Sequence, residues 1–295
     1  MDISKLSLLS DIAVTKNLTL SAERMGYTQS AVSHAITKLE SEMGISLLRR
    51  TNRGVELTKD GELLLPKIRS VITHYQRLQE DIDSLQGLQC GAVCIGTYSS
   101  IASQWLPAVI RSFQQLYPNI TLSIREGGID EIERWIYDGS VDFGFLSWRK
   151  HQNFKFTSIA RDPLYAIVSP EFPLPESYYN LFPLTAFAEY PFISSENGID
   201  NDVAAALETA GVEPLIICCC RDDHTIISMV RKNLGVSLLP GMFLKDYDHD
   251  IQKIPVSPCA IRTLGIGIVS EKKLSTSAKM FIKVAKKTIR ELTAK

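Results

Sequence analysis

Ser30, Ser33, His34, Thr37 and Ser41 share one side of any helix formed over residues 29–43, with Gln29 at its leading end. These side chains are short or polar, suited to hydrogen bonding with base edges and phosphate oxygens. Val32, Ile36, Leu39 and Met43 step by four, three and four residues and make an apolar stripe on the other side. Thr28 supplies an N-cap, which puts Gln29 and Ser30 first in the helix. A shorter helical pattern over residues 19–25 precedes it across a Gly26-Tyr27 turn. The pair reads as a helix-turn-helix, in which Gln can bond adenine N6 and N7 in the major groove while Ser tolerates several bases. The edge of an ordinary three-helix bundle has the same pattern, so residues 19–43 alone leave both readings open.

Residues 49–58 add weight to the first reading. They form a turn between two extended runs, with Asn52, Arg53 and Gly54 at the tip and Val55 and Leu57 alternating inward. Arg49, Arg50, Arg53 and Lys59 face only Glu56, a local charge of +3 in a chain whose net charge is −1. The whole chain therefore offers nucleic acid no general attraction, but this face does. Each arginine taken singly reads as part of a solvated hairpin. The cluster reads as a loop that lies on phosphates or reaches into a minor groove.

Together these stretches resemble the winged helix-turn-helix of LysR-type transcriptional regulators. The resemblance runs through residues 1–65 and is carried by Ala22, Gln29-Ser30-Ala31-Val32-Ser33, Ile36, Leu39-Glu40, Gly44, Leu47, Arg50, Leu57-Thr58 and Gly61. Asn17-Leu18, Ser21 and Leu48 depart from the family pattern at packing or capping positions. By position, the resemblance implies contacts to bases and phosphates from Gln29, Ser30, Ser33, His34, Thr37, Lys38, Arg50 and Arg53 of a double-stranded DNA operator.

The element that must position this head is a long helix. Leu64, Ile68, Val71, Tyr75, Leu78, Ile82 and Leu85 repeat by four and three, the seam of a coiled coil, and Gly87 is a natural stop. A second copy of the chain is the partner such a seam calls for, although a neighbouring domain of the same chain could also cover it. Pro66 lies inside the pattern and implies a kink or a late helix start. The resemblance likewise implies a dimer through this helix, and the family commonly assembles as a homotetramer. The expected organisation is a winged helix-turn-helix over residues 1–58, a linker helix over 59–88 and an effector-binding domain over 89–295.

From Cys90 onward strands alternate with helices, which implies α/β architecture with a parallel, doubly wound sheet. Val93 and Ile95, then Leu106 to Leu116, then Ile120, Leu122 and Ile124 form a βαβ unit, and VDFGFL continues as a buried strand. A second set starts at Leu164 and includes YPFIS, LIICCC and VSLLP, after which GIGIVS precedes a final amphipathic helix with Phe281, Val284, Ala285, Ile289 and Leu292. With the pieces LPAVIRSFQQLYPNITL, GSVDFGF and VRKNLGVSLLP, the resemblance implies a two-lobed, periplasmic-binding-protein-like domain. Lobe one is expected to combine 90–161 with 268–295, and lobe two to span 162–267.

Such folds hold ligands beyond the carboxyl ends of strands. Ser99 and Ser100 follow one such end, where hydroxyls and helix amides suit a carboxylate or similar anion, or simply cap the helix. Comparable strand ends bring in Ser147, Ser194, His224 and Thr225 as effector contacts. The expected effector is a small anionic or polar metabolite.

Six cysteines raise redox and metal chemistry. Cys218, Cys219 and Cys220 are consecutive in an apolar strand, so they cannot all converge on one ion, and the spacing of Cys90 and Cys94 is not that of a zinc knuckle. The expectation is structural thiols, no metal and no cofactor. Peroxide-sensing relatives leave a redox role for Cys218 to Cys220 with Cys259 open. No G-x-S-x-G, Walker or H-E-x-x-H motif points to an enzyme. A solute-binding protein fits the C-terminal two-thirds but leaves the N-terminal head unexplained. With no leader or membrane-spanning run in the sequence, a cytoplasmic location is expected.

Overall fold

The computed structural model describes residues 2–51, 54–85, 91–150, 152–196, 201–247 and 251–293, with residues 77, 80, 81, 83–85, 201 and 273 described by backbone alone. The chain divides into two compact units, Met1–Cys90 with Asp138–Ser140, and Gly91–Tyr137 with Val141–Lys295. No helix among the described residues is long and apolar enough to cross a membrane.

The first unit contains α1 (Ile3–Thr15), α2 (Leu18–Met25), α3 (Gln29–Met43), the hairpin of β1 (Leu48–Thr51) and β2 (Gly54–Leu57), and α4 (Lys59–Leu85). Side-chain oxygens start the first three helices. Asp2 accepts from Ser4 N at 3.1 Å, Asn17 from Thr19 N at 2.9 Å and Leu20 N at 3.2 Å, and Thr28 from Ala31 N at 3.2 Å. Asn17 thus caps α2 where the family pattern has serine, and Ser21, the other departure there, is buried and bonded to Thr15 Oγ1 at 2.6 Å. Leu9, Ile12, Ala22, Val32, Ile36, Leu39, Leu47, Val55 and Ile68 close one core across all these elements.

Two polar contacts fix the hairpin to its neighbours. Glu40 Oε1 accepts from Leu47 N at 2.6 Å and Leu48 N at 3.0 Å, satisfying amides where the strand begins. Thr58 Oγ1 donates to Ser46 O at 2.7 Å and accepts from Gly61 N at 3.0 Å, capping α4. A Cβ on Gly61 would stand 2.3 Å from Leu47 O, so only glycine lets the hairpin and α4 approach this closely.

α4 does not start late: it begins at Lys59 and carries Pro66 within it. The missing amide falls on the exposed side of the helix, where it leaves only the Glu62 carbonyl without its usual donor. The apolar stripe divides along its length. Leu64 and Ile68 pack on the unit's own core with Ile72, whereas Val71, Tyr75, Leu78 and Ile82 are 47%, 49%, 58% and 39% exposed.

The second unit contains β3 (Gly91–Thr97), α5 (Ser99–Gln104), α6 (Leu106–Leu116), β4 (Ile120–Glu126), α7 (Ile129–Asp138), β5 (Phe143–Ser147) and β6 (Lys155–Val168). It continues with β7 (Phe182–Pro183), β8 (Phe192–Ser195), α8 (Asn201–Thr209), β9 (Ile216–Cys220), α9 (Asp223–Arg231), β10 (Ser237–Pro240), β11 (Gln252–Ser257), β12 (Ile261–Ile268) and α10 (Thr276–Thr293). One curled sheet has the order β4-β3-β5-β12-β6-β11-β7, with β10 also on β6, while β8 and β9 pair separately.

The expected parallel arrangement is found for β4, β3 and β5, but β12 runs antiparallel to both β5 and β6, so the sheet is mixed. β6 is longer than its apolar run: it starts at Lys155 rather than Leu164. Its residues Lys155 to Pro163 pair with β12, and Leu164 to Val168 pair with β10 and β11. A single strand therefore passes between two cores. The first contains Val93, Phe113, Phe143 and Phe145, closed by Phe281, Ala285 and Ile289 of the returning α10. The second is built from two adjoining clusters, around Phe182, Phe187 and Phe192 and around Ile167, Ile193 and Ile226.

Candidate functional site

Two sets of residues carry candidate chemistry, one in each unit. On α3, Gln29, Ser30, His34, Thr37 and Lys38 are exposed and Ser33 is half-buried, while the opposite face holds Val32, Ile36 and Leu39 in the core. The exposed residues form two adjoining rows, Gln29-Ser33-Thr37 and Ser30-His34-Lys38. Thr28 Oγ1 lies 3.1 Å from Ser30 Oγ, and Thr37 Oγ1 donates to Ser33 O at 3.0 Å, so local bonds orient these hydroxyls. Arg50 of β1 is exposed; Arg49 is held by Glu56 at 2.9 Å. Arg53, the remaining arginine of the hairpin, lies outside the described residues.

In the second unit the polar centre is a buried ion pair. Asp162 of β6 and Arg262 of β12 are directly opposed in register, with side chains 5% and 4% exposed. Arg262 Nε and Nη2 reach Asp162 Oδ2 at 2.9 and 2.8 Å, and Nη2 also donates to Ser100 Oγ at 3.1 Å. Asp162 Oδ1 accepts from Met242 N at 2.8 Å. The guanidinium stands 5.6 Å from the Tyr98 ring, whose hydroxyl lies 3.0 Å from Ser147 Oγ. Beside this node is a cavity of about 370 Å³ walled by Trp148, Arg262, Thr263, Asp202, Ala205 and Pro258 among others.

The six effector residues expected from the sequence are not gathered in one place. Ser100 and Ser147 are buried and bonded to Arg262 and Tyr98. Met242 packs into the first core, and Gln104 of α5 donates to Asp246 at 2.6 Å. Ser99 is exposed at the start of α5. Ser194 is half-buried on a different cavity of about 460 Å³, shared with Val203 and Leu207. Thr225 and His224 are exposed on the first turn of α9. Asp222 caps that turn, accepting from His224 N, Thr225 N and Thr225 Oγ1 at 3.3, 3.1 and 2.9 Å. Burial works against the Asp222 carboxylate, but the Thr225 hydroxyl and the two amides outweigh it and hold its pKa below the ordinary value. His224 Nδ1 is bonded to Tyr247 Oη.

Tyr98, Asp162 and Arg262 escaped the sequence reading. For Asp162 and Arg262 the signal was present: opposite charges within the apolar strands ARDPLYAIV and AIRTLGIGI call for a partner wherever the strand buries them. Of the cysteines, Cys219 and Cys259 are exposed, Cys94, Cys218 and Cys220 are partly buried, and Cys90 lies outside the described residues. Burial, then the neighbouring Cys218 thiol, pushes the Cys220 thiol above its ordinary range, and burial does the same to Cys94.

A helix-turn-helix head with a hairpin wing, a long helix and a two-core α/β unit is the architecture of a ligand-binding transcriptional regulator. The family model described as bacterial regulatory helix-turn-helix protein, lysR family, matches residues 3–62, and that of the LysR substrate binding domain matches residues 86–290. The chain belongs to the LysR family of transcriptional regulators. It is 27% identical over 290 residues to the HTH-type transcriptional regulator YvbU of Bacillus subtilis (strain 168), covering 97% of this chain and 98% of that protein. Its fold is similar to that of a full-length OxyR variant of Pseudomonas aeruginosa, with TM-score 0.72, 21% identity and coverage of 98% of this chain and 95% of the other. CbnR in complex with its target DNA is also similar, with TM-score 0.67, 19% identity and coverage of 98% and 100%.

The ion pair yields a direct test. Arg262→Met strands the Asp162 carboxylate in the interior and is expected to lower the unfolding free energy of the C-terminal domain by about 3–5 kcal/mol in urea titrations. The double variant Asp162→Leu with Arg262→Met removes both charges and should recover much of that loss; a single variant as stable as the parent would show that the pair does not hold the strands.

Proposed function

We propose that this LysR-family regulator binds a double-stranded DNA operator as a homodimer, or as a homotetramer built from such dimers, and responds in the cytoplasm to a small polar or anionic metabolite. The exposed polar face of α3 carries the reading. Gln29, Ser30, Ser33, His34, Thr37 and Lys38 are the residues offered to base edges and phosphates, with Arg50 and Arg53 of the wing on the backbone. The similarity of the chain to CbnR, solved with its target DNA, supports this partner.

The exposed apolar stripe of α4 supports the dimer. Val71, Tyr75, Leu78 and Ile82 recur by four, three and four residues on a helix that presents them to solvent, and a second copy of α4 would bury them.

For the effector, the cavity beside Arg262 is of a size suited to a small metabolite, and Asp202 and Thr263 stand among its lining residues with Trp148 and Ala205. Ser99, Ser194, His224 and Thr225 do not line this cavity, Ser194 belonging to the second one, and a part in effector binding is proposed for them at the strand and helix ends of the domain rather than as its walls. Ser100 and Ser147 would act instead by holding Arg262 and Tyr98 in place. A ligand that favours one arrangement of the domain over another shifts the populations of the dimer's states and so alters operator binding. A peroxide-reactive thiol needs ready access to the thiolate, and the raised pKa of Cys220 disfavours that chemistry.

DNA binding is tested by titrating the operator at several salt concentrations. Arg50→Ala should weaken binding to all sequences and reduce the slope of log K against log salt by about 1. Gln29→Ala should relax preference at one base pair, worth about 1–3 kcal/mol of discrimination. Parental behaviour in both variants would remove α3 and the wing from the interface. Leu78→Asp should convert the dimer to monomer in sedimentation experiments, and an undisturbed dimer would assign the interface elsewhere. A thermal-shift screen of the full chain against small carboxylates, amino acids and aromatics should find a saturable rise in midpoint that Ala205→Trp abolishes while operator binding persists. A shift that survives Ala205→Trp would move the effector out of this cavity.

A further inference from the structure

Three consecutive cysteines in an extended strand cannot share a ligand, because the pleat sends alternate side chains to opposite faces. The same alternation brings the first and third together. On β9, Cys218 Sγ and Cys220 Sγ are 3.8 Å apart, and Cys219 is exposed. Met229 of α9 completes the set, its Sδ 3.8 Å from Cys220 Sγ. All three side chains are half-buried, which leaves them reachable from solvent yet shielded on the α9 side.

With a metal–sulfur bond of about 2.3 Å, sulfurs in a tetrahedral or trigonal array lie roughly 3.8–4.0 Å from one another. The two measured separations therefore already have the spacing of ligands around one ion. Among the described residues no group of three or more His, Cys, Asp and Glu side chains could hold a metal, so the third donor here is a thioether. Two thiolates and a thioether, without nitrogen or oxygen donors, select a soft monovalent cation over zinc or a harder divalent ion. We propose that Cys218, Cys220 and Met229 form a binding site for a soft monovalent cation of the Cu(I) type. On binding, each of the two thiols releases its proton to solvent, the sulfurs form two metal–thiolate bonds, and the complex carries a single net negative charge. No oxidation state changes. The ion would tie the edge strand β9 to α9, the helix that carries His224 and Thr225.

The test uses the reduced full-length chain under anaerobic conditions, titrated with Cu(I) held by bathocuproine disulfonate. The expected result is removal of one Cu(I) per chain from the chelator, lost in Cys218→Ser and in Cys220→Ser, weakened in Met229→Leu and unchanged in Cys219→Ser and Cys259→Ser. X-ray absorption of the loaded chain should give a sulfur-only shell. Because a serine variant can fail to fold, a footprint of the wild-type chain accompanies the titration: Ag(I) should protect Cys218 and Cys220 from alkylation and leave Cys219 and Cys259 reactive. Copper that stays with the chelator, uptake that survives Cys218→Ser or Cys220→Ser, equal uptake of Zn(II), nitrogen or oxygen in the shell, or a footprint without selectivity would each overturn the assignment.

Discussion

The C-terminal domain depends on one buried pair of opposite charges. Asp162 and Arg262 face each other across β6 and β12 where β6 passes from one core to the other. A charge held this far from water is tolerable only when it is paired and its remaining hydrogen-bonding groups are used. Ser100 and Met242 take up those groups, so helix α5, strands β6 and β12 and the turn after β10 meet at one point. A slip of β6 against β12 by one residue would move Asp162 to the face of the sheet opposite Arg262. The pair is thus a register device as much as an attraction, and the cavity beside it inherits a wall whose position is fixed.

That constraint also explains which parts of the domain were legible in the sequence. Helices such as α6 and α10 repeat apolar residues at helical spacing and were readable from periodicity alone, as were the short buried runs of β5 and β10. The first half of β6, with half-exposed and exposed residues between Lys155 and Arg161, lacks an apolar signature, and β11 contains Pro255, which argues against a strand unless its neighbours are known. Polar residues at strand ends were located correctly as strand ends, but not in their surroundings. Whether Ser100 faces a ligand or an arginine depends on a residue more than a hundred positions away, and no local pattern carries that information.

The cysteine run follows the same logic. The alternation of a strand is enough to say that three neighbours cannot converge, and it also says that Cys218 and Cys220 share a face. What the sequence does not contain is the approach of Met229, which depends on how α9 packs over β9. The α4 stripe gave the opposite result. Seven apolar positions at heptad spacing read as a single seam, yet folding assigns Leu64 and Ile68 to the head's own core and leaves Val71, Tyr75, Leu78 and Ile82 outside. Periodicity identifies an apolar face; only the packed neighbours decide how much of it remains for a partner.

This division of α4 gives the N-terminal unit a mechanical character. The buried half of the helix, with Thr58 capping its start and Gly61 against the Leu47 carbonyl, leaves the hairpin no room to shift along α4. Glu40 in turn binds the hairpin's first amides to α3. Helix α3, the wing and the first turns of α4 are therefore joined by direct contacts. On the proposed reading, a change in how the exposed half of α4 pairs with a second copy would reach α3 through these contacts.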